Sequence, residues 1–407
     1  MAPIGDFLWG AATASHQVEG GNRWNDWWEL EESGRLPHRS GEACRHYELY
    51  ESDFDLAKSL GHNAHRFSIE WSRIEPRPGE WNPAALDHYG DVIAALRRRD
   101  IEPVITLHHF TNPAWLAERG GWTSRDCVDA FARYVDYVAA RLAGSVKYWL
   151  TVNEPTVYVK HAFLSCDWPP CGSRSRIDAA RAMRNLCRAH RVAYGILHRH
   201  RSDAMVGFAH SAPYVVPCDP GSIVDRLAAR ARDFALNSIV FRLLGANPRK
   251  VLDFIGINYY ARQVIRARSE AGKYSPFGTE CMADHHGSPR AFSPLGWEVH
   301  APGLGAVLRQ LSRYGVPLMV TENGIATADE TLRTQYLRDH VAALGQAVRS
   351  GIPVLGYLYW TLMDNYEWTA GRTARFGLAH VDFETQQRSL RPAADAFRSL
   401  IASGGIL

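Results

Sequence analysis

The chain has 407 residues, 46% hydrophobic and 22% charged, which is enough apolar content for a large core and excludes a disordered chain. Lys plus Arg number 46 against 43 Asp plus Glu, and this net charge of +3 gives no basis for a nucleic-acid or membrane-surface partner. No apolar run approaches the ~20 residues that a bilayer crossing needs, so a small neutral substrate and a cytoplasmic setting are expected.

Apolar runs that read as strands fall at 7–12, 64–69, 103–107, 148–152, 205–209, 254–258, 317–321 and 353–359. Between them, helix-period segments carry apolar residues three and four apart. Leu86, Tyr89, Val92, Ile93 and Leu96 form one set and Phe131, Tyr134, Val135, Val138 and Leu142 another, with further helices over 189–198 and 336–348. Eight such units predict a closed parallel (β/α)8 barrel. No linker, low-complexity tract or repeat divides the chain, so residues 1–407 read as one domain. At the amino end no charged segment leads into an apolar run, and structure is expected to begin at Phe7-Leu8-Trp9 without a targeting segment.

Polar and aromatic residues collect at or just past the strand ends. They are Gln17 and Glu19, Arg66 and Glu70, His108 and His109, Asn153 and Glu154, Asn258 and Tyr260, Glu322, and finally Trp360, Glu367 and Trp368. Strand ends of a barrel share one face, so these groups are expected to converge on one pocket. Two of them are glutamates that stop a strand. Residues 316–320 run into Thr321-Glu322-Asn323-Gly324, where the glycine is expected to let the backbone turn, and 146–152 run into Asn153-Glu154-Pro155, where proline bars continuation. Two readings stand. Either the glutamates anchor a loop and cap a helix, or one protonates a departing oxygen while the other attacks or stabilises a sugar carbon. Arg66 beside Glu322 would keep that carboxylate ionised, and Tyr260 could hydrogen-bond to it. Glu154 has no basic neighbour in sequence, and Trp149 and Pro155 make its surroundings less polar, which favours the protonated acid.

Adjacent His108 and His109 invite a metal, but successive strand-end residues point opposite ways and no third ligand stands at helical spacing, so neither metal nor cofactor is expected. His285 and His286 fall in a polar loop and read as solvated. The seven cysteines form no C-x-x-C pair and are odd in number, which fits reduced thiols, Cys166 and Cys171 included. Most of the thirteen tryptophans belong to core or barrel rim, but Trp360 and Trp368 flank Glu367. Gly303 and Gly305 lack the third glycine of a dinucleotide loop, and no G-x-S-x-G elbow occurs.

The runs FLWGAATASHQVEGG at 7–21, HRFSIEWSRIEP at 65–76, LHHFTNPAWL at 107–116, TVNEP at 151–155, FIGINYY at 254–260, TENG at 321–324, WTLMDNYEW at 360–368 and RFGLAHVDFET at 375–385 carry a family resemblance. In these motifs, and in their order along nearly the whole chain, the protein resembles the retaining β-glycosidases of glycoside hydrolase family 1, the β-glucosidase family. The resemblance implies a (β/α)8 barrel that hydrolyses β-linked sugars with retention through a covalent glycosyl-enzyme, which needs carboxyls about 5–5.5 Å apart. It implies Glu154 as acid/base and Glu322 as nucleophile. Gln17, His109, Asn153, Glu367 and Trp368 would hold the sugar with Trp360 beneath it, while Arg66, Asn258 and Tyr260 would support the nucleophile.

A carboxylate at Glu367 argues against the 6-phospho-glycosidases, whose phosphate it would repel, and Glu154 argues against thioglycosidases of the myrosinase type, which lack that acid. The chain departs from the family at Phe110, where many members carry tryptophan, and at Arg391-Pro392. The loop after Pro155 and the span from Tyr260 to Val316 are short for the family, which suggests an open leaving-group site. The expectation is an exo-acting β-glucosidase that also accepts β-galactosides or β-fucosides, its partner a small-molecule β-glycoside or short β-linked oligosaccharide. A transglycosylase on the same site and a catalytically silent glycan-binding barrel are the alternatives.

Overall fold

Eight strands close into a parallel barrel in the computed structural model, which describes residues 7–404 apart from 171, 173, 270–271 and 283–289. In chain order they are Leu8–Ala12, Ala64–Ser68, Glu102–Thr106, Tyr148–Asn153, Met205–Ser211, Ile255–Asn258, Leu318–Glu322 and Val354–Trp360. Each pairs with its sequence neighbours, and the first closes on the eighth with Leu8 opposite Gly356 and Ala12 opposite Trp360. The fourth and seventh strands run one residue beyond expectation, which makes Asn153 and Glu322 strand residues.

Side chains alternate across each strand and so divide the core into two layers. Leu8, Val104, Leu150, Met319 and Leu358 fill the barrel, whereas Trp9, Ile105, Trp149, Val320 and Tyr357 pack outward against the helices. The helices bury the stripes their periodicity predicts. In Pro83–Arg98, Asn82 accepts from the Ala85 N–H, Pro83 fills a first-turn position that needs no donor, and Leu86, Tyr89, Val92, Ile93 and Leu96 all face the core. Helices Arg176–His200 and Glu330–Arg349 extend well beyond their apolar kernels because Ser175 and Asp329 cap them. Arg391 donates to Glu330 and Asp364, each at 2.6 Å, and Pro392 opens the last helix, Pro392–Ala402.

Gly324 is required for a reason other than a turn. Its φ is not in the left-handed region, but a Cβ there would lie 1.9 Å from the Trp360 carbonyl oxygen, so the close approach of the seventh and eighth strand ends demands glycine.

Outside the βα pattern, Tyr214–Pro217, Arg262–Arg268 and Tyr274–Glu280 form a three-stranded sheet with Arg262–Arg268 in the middle. Ala228 and Ala229 of helix Ile223–Asp233 pack on Ile265 and Ala267 of this sheet. A groove of about 1140 Å³, lined in part by Tyr214, Val264, Arg266 and His300, runs beside it and contains none of the strand-end groups singled out above. Cys44 and Cys127 are buried thiols that donate to the carbonyls of Asp364 and Ser124. Cys171, His285 and His286 lie outside the described residues. Among the described residues no helix is long and apolar enough to cross a membrane.

Candidate active site

Glu322 ends the seventh strand opposite Asn258 of the sixth, just after a register shift between Val320 and Glu322. Arg66 points into the barrel from the second strand and is fully buried. Its Nη1 donates to Glu322 Oε1 at 2.6 Å, its Nη2 to Asn153 Oδ1 at 2.7 Å and its Nε to Thr106 Oγ1 at 2.9 Å, so the guanidinium is held on three sides. The Tyr260 hydroxyl donates to Glu322 Oε2 at 2.6 Å. Both carboxylate oxygens therefore accept strong, charge-assisted bonds. Burial pushes the Glu322 carboxyl up from the ordinary range, and Arg66 and Tyr260 pull against it. The next long helix begins at Glu330 and is capped by Asp329, so Glu322 caps nothing.

Glu154 follows the fourth strand with φ +44, a left-handed conformation that costs a non-glycine residue roughly 1 kcal/mol or more. It immediately precedes helix Pro155–Val159, yet its side chain makes no capping bond. Its Oε1 accepts instead from Asn258 Nδ2 at 2.8 Å. Thr321 Oγ1 donates to Asn258 Oδ1 at 2.7 Å, which fixes the orientation of that amide and leaves its Nδ2 for Glu154 and for Asn153 Oδ1 at 3.1 Å. Burial first, and then the charge of Glu322, push Glu154 up to about 8, against the pull of Asn258 and Arg66. Trp149 sits in the outer layer with its indole N–H on the Val146 carbonyl, so the protonated form of Glu154 rests on burial and on Glu322 rather than on that side chain.

A continuous bridge thus runs from Glu322 through Arg66, Asn153 and Asn258 to Glu154. One carboxyl is held as an anion by a cation and a hydroxyl. The other meets only neutral donors, the Asn258 amide and the Ser211 hydroxyl, in buried surroundings and keeps its proton. Two carboxyls with environments that push them apart can serve as nucleophile and acid.

A second wall carries the remaining candidates. Trp360 Nε1 donates to Glu367 Oε1 at 2.9 Å, and burial pushes Glu367 up to about 8. Gln17 Nε2 donates to the Tyr366 carbonyl at 2.9 Å and lies 3.4 Å from Asn365 Oδ1. Gln17 Oε1, Asn365 Nδ2 and His109 Nδ1 are buried without a protein partner, which suits them to sugar hydroxyls. His109 lies parallel to Trp360 at 5.8 Å and to Trp368 at 6.2 Å, and its Nε2 is 3.3 Å from Asn153 Nδ2. Phe110, with φ +72, packs edge-on against Trp168 at 4.8 Å and Trp368 at 5.4 Å.

Three strand-end residues do not join this set. Glu19 accepts from Arg73 and Tyr89, and Glu70 from Ser15, Ser72 and Thr111. His108 turns away from His109 to Asn112 Oδ1, at 3.0 Å, and Trp122. Thr106, Thr321 and Asn365 belong to the site but are absent from the sequence-based set. Thr106 ends its strand and Thr321 stands one residue before the end of its own, so both could have been found by that position, whereas Asn365 shows only through its contacts.

The family model for glycosyl hydrolase family 1 matches residues 3–249 and 244–406. A β-galactosidase from Pyrococcus woesei is 30% identical over 98% of this chain and 97% of its own length. Among solved structures, a β-glycosidase from Pyrococcus horikoshii superposes with a TM-score of 0.91 at 39% identity, covering 99% of this chain and 95% of that one. A β-glucosidase from Thermotoga maritima in complex with glucoimidazole gives a TM-score of 0.89 at 28% identity, with 98% of each chain covered.

Proposed function

The chain belongs to glycosyl hydrolase family 1 and is a retaining β-glycosidase, and from that premise we propose that Glu322 is its nucleophile, Glu154 its acid/base and a β-glucoside its preferred substrate. In the first step a Glu322 oxygen attacks the anomeric carbon as the bond to the leaving oxygen breaks, and Glu154 gives that oxygen its proton. In the second, ionised Glu154 takes a proton from water, the water oxygen bonds to the anomeric carbon, and Glu322 departs. The observation that carries this assignment is the divergent bonding of the two buried carboxyls, with the Arg66 cation and the Tyr260 hydroxyl on Glu322 and only neutral donors, Asn258 and Ser211, on Glu154.

Gln17, His109, Asn153, Glu367 and Trp368 would hold the sugar, with Trp360 beneath it and positioning Glu367. Glu367, whose proton persists to about pH 8, can donate one hydrogen bond and accept another, which suits a pair of sugar hydroxyls and not a phosphate. β-Galactosides and β-fucosides follow as secondary substrates, and a small β-glycoside or short oligosaccharide in the cytoplasm is the expected partner for a single catalytic unit spanning residues 1–407. The test is hydrolysis of a panel of 4-nitrophenyl glycosides beside the Glu322→Ala variant. Turnover of the β-glucoside should fall by roughly 10⁴-fold or more in the variant, and unchanged turnover would overturn the assignment of the nucleophile.

A further inference from the structure

Behind the sugar wall lies a buried polar relay that no step of the reaction uses. His16 stands on the short helix Ser15–Val18, one residue before Gln17, and both His16 and Glu31 are 1% exposed. The His16 Nε2 is 2.9 Å from Glu31 Oε1, and Asn25 Nδ2 is 3.0 Å from His16 Nδ1. Asn25 Oδ1 already accepts from the Trp28 N–H at 2.8 Å, so the amide must present its NH₂ to the ring. His16 Nδ1 is therefore an acceptor, and the ring proton sits on Nε2 and donates to Glu31. Glu31 Oε2 accepts from the Ser40 N–H at 2.8 Å and the Ser40 hydroxyl at 2.7 Å. Each polar atom of the His16 ring has one partner, which leaves the ring plane a single orientation.

That plane lies 11° from the indole of Trp368, with ring centroids 5.7 Å apart. Trp368 is parallel in turn to His109, and His109 to Trp360, giving a ladder of four rings from the relay to the sugar wall. Trp368 itself has φ +53, a left-handed backbone that surrounding contacts must hold in place. A buried histidine–glutamate pair is an expensive way to fill a core, because an apolar ring would fill the same space without desolvating a carboxylate. What it provides over an apolar ring is orientation.

We infer that His16 is a positioning residue for sugar binding, locked by Asn25 and Glu31 and acting through the parallel face of Trp368. The inference rests on the proposed role of Trp368 in holding the sugar. Glucoimidazole binding to the purified protein, measured by calorimetry, is the readout. His16→Gln keeps a donor for Glu31 and removes the ring, so it should weaken binding about three- to tenfold, the range of one aromatic contact. His16→Phe keeps a ring but neither of the bonds that orient it, so it should recover only a minor part of that loss, and full recovery would overturn the role of the lock. In a Trp368→Ala background His16→Gln should cost less than about twofold, since the contact it breaks is already gone. Wild-type affinity in His16→Gln, or an undiminished cost in the Trp368→Ala background, would overturn the inference while leaving the sugar wall intact. Wild-type affinity in Trp368→Ala alone would instead remove Trp368 from the sugar wall and the inference with it. If His16→Gln does not fold, Glu31→Gln frees the ring without stranding a buried charge and is read by the same titration, with the same expected and overturning results.

Discussion

Replacing Glu154 by glutamine removes one proton and little else. The glutamine oxygen can still accept from Asn258 Nδ2, which is 2.8 Å from Glu154 Oε1, so the bridge to Arg66 survives. What disappears is protonation of the leaving oxygen, worth about 10²–10⁴-fold when the leaving alcohol is a poor one. The 4-nitrophenolate ion leaves without a proton. The ratio of kcat/KM for 4-nitrophenyl β-glucoside to that for methyl β-glucoside should therefore rise by roughly 10²–10⁴ in the variant. kcat/KM is the quantity to compare, because the missing base also slows release of the glycosyl-enzyme for both substrates. The pH profile gives a second measure. Glu154 must be protonated for the first step, and burial beside Glu322 puts its pKa at about 8. Wild-type kcat/KM should thus fall as pH rises through about 8, to roughly one-tenth at pH 9, while the variant's 4-nitrophenyl reaction stays flat over that range. An alkaline limb that survives Glu154→Gln would refute the reasoning and point to Glu367, the other carboxyl pushed to about 8.

Other perturbations address the supports. Tyr260→Phe deletes the 2.6 Å bond to Glu322; a bond to a charged group is worth about 1.5–3 kcal/mol, so kcat/KM should drop roughly 10–100-fold, and the acid limb should move to higher pH because a donor that lowered Glu322 is gone. Glu367→Gln should bind sugar more weakly yet melt at higher temperature than wild type at pH 8–9. A carboxyl whose folded pKa is raised to about 8 adds stability below its unfolded pKa and loses it as pH rises through about 8, so the difference in melting temperature should vanish near pH 4. Asn112→Ala should cost about 3 kcal/mol in denaturant unfolding, because it removes buried bonds of 2.7, 3.1, 2.8 and 3.0 Å from the Asn112 side chain to Asp26, Tyr158, Trp122 and His108 and takes that partner from Asp26 Oδ2 and the Tyr158 hydroxyl. A stability change under 1 kcal/mol would show that these groups find other partners.

Much of this protein is written locally. Period-two and period-3.6 patterns placed all eight strands within a residue or two, and the helical stripes at 86–96 and 131–142 are the buried faces found in the fold. Residue type at strand ends was enough to single out both glutamates and most of their partners. The strand Arg262–Arg268 carries the β-branched pair Val264-Ile265 between polar residues and was legible in principle, but Tyr274–Glu280 contains Pro276 and Gly278, which hide a strand.

Three-dimensional closure decided the rest. A place at a strand end does not by itself tell what Glu70 and Glu322 meet, and one meets serine and threonine hydroxyls while the other meets Arg66 from 256 positions away. Register shifts before Asn153 and before Glu322 place these two residues across the barrel mouth, and such shifts depend on how eight strands tilt and stagger to close rather than on any one strand's pattern. The protonation states follow from the same closure. Burial raises both glutamates, and only the arrival of Arg66 and Tyr260 at one of them makes the two chemically different. Amino-acid identity supplied the acids, and the electrostatic contrast between them arises from distances that exist only after the chain has closed on itself.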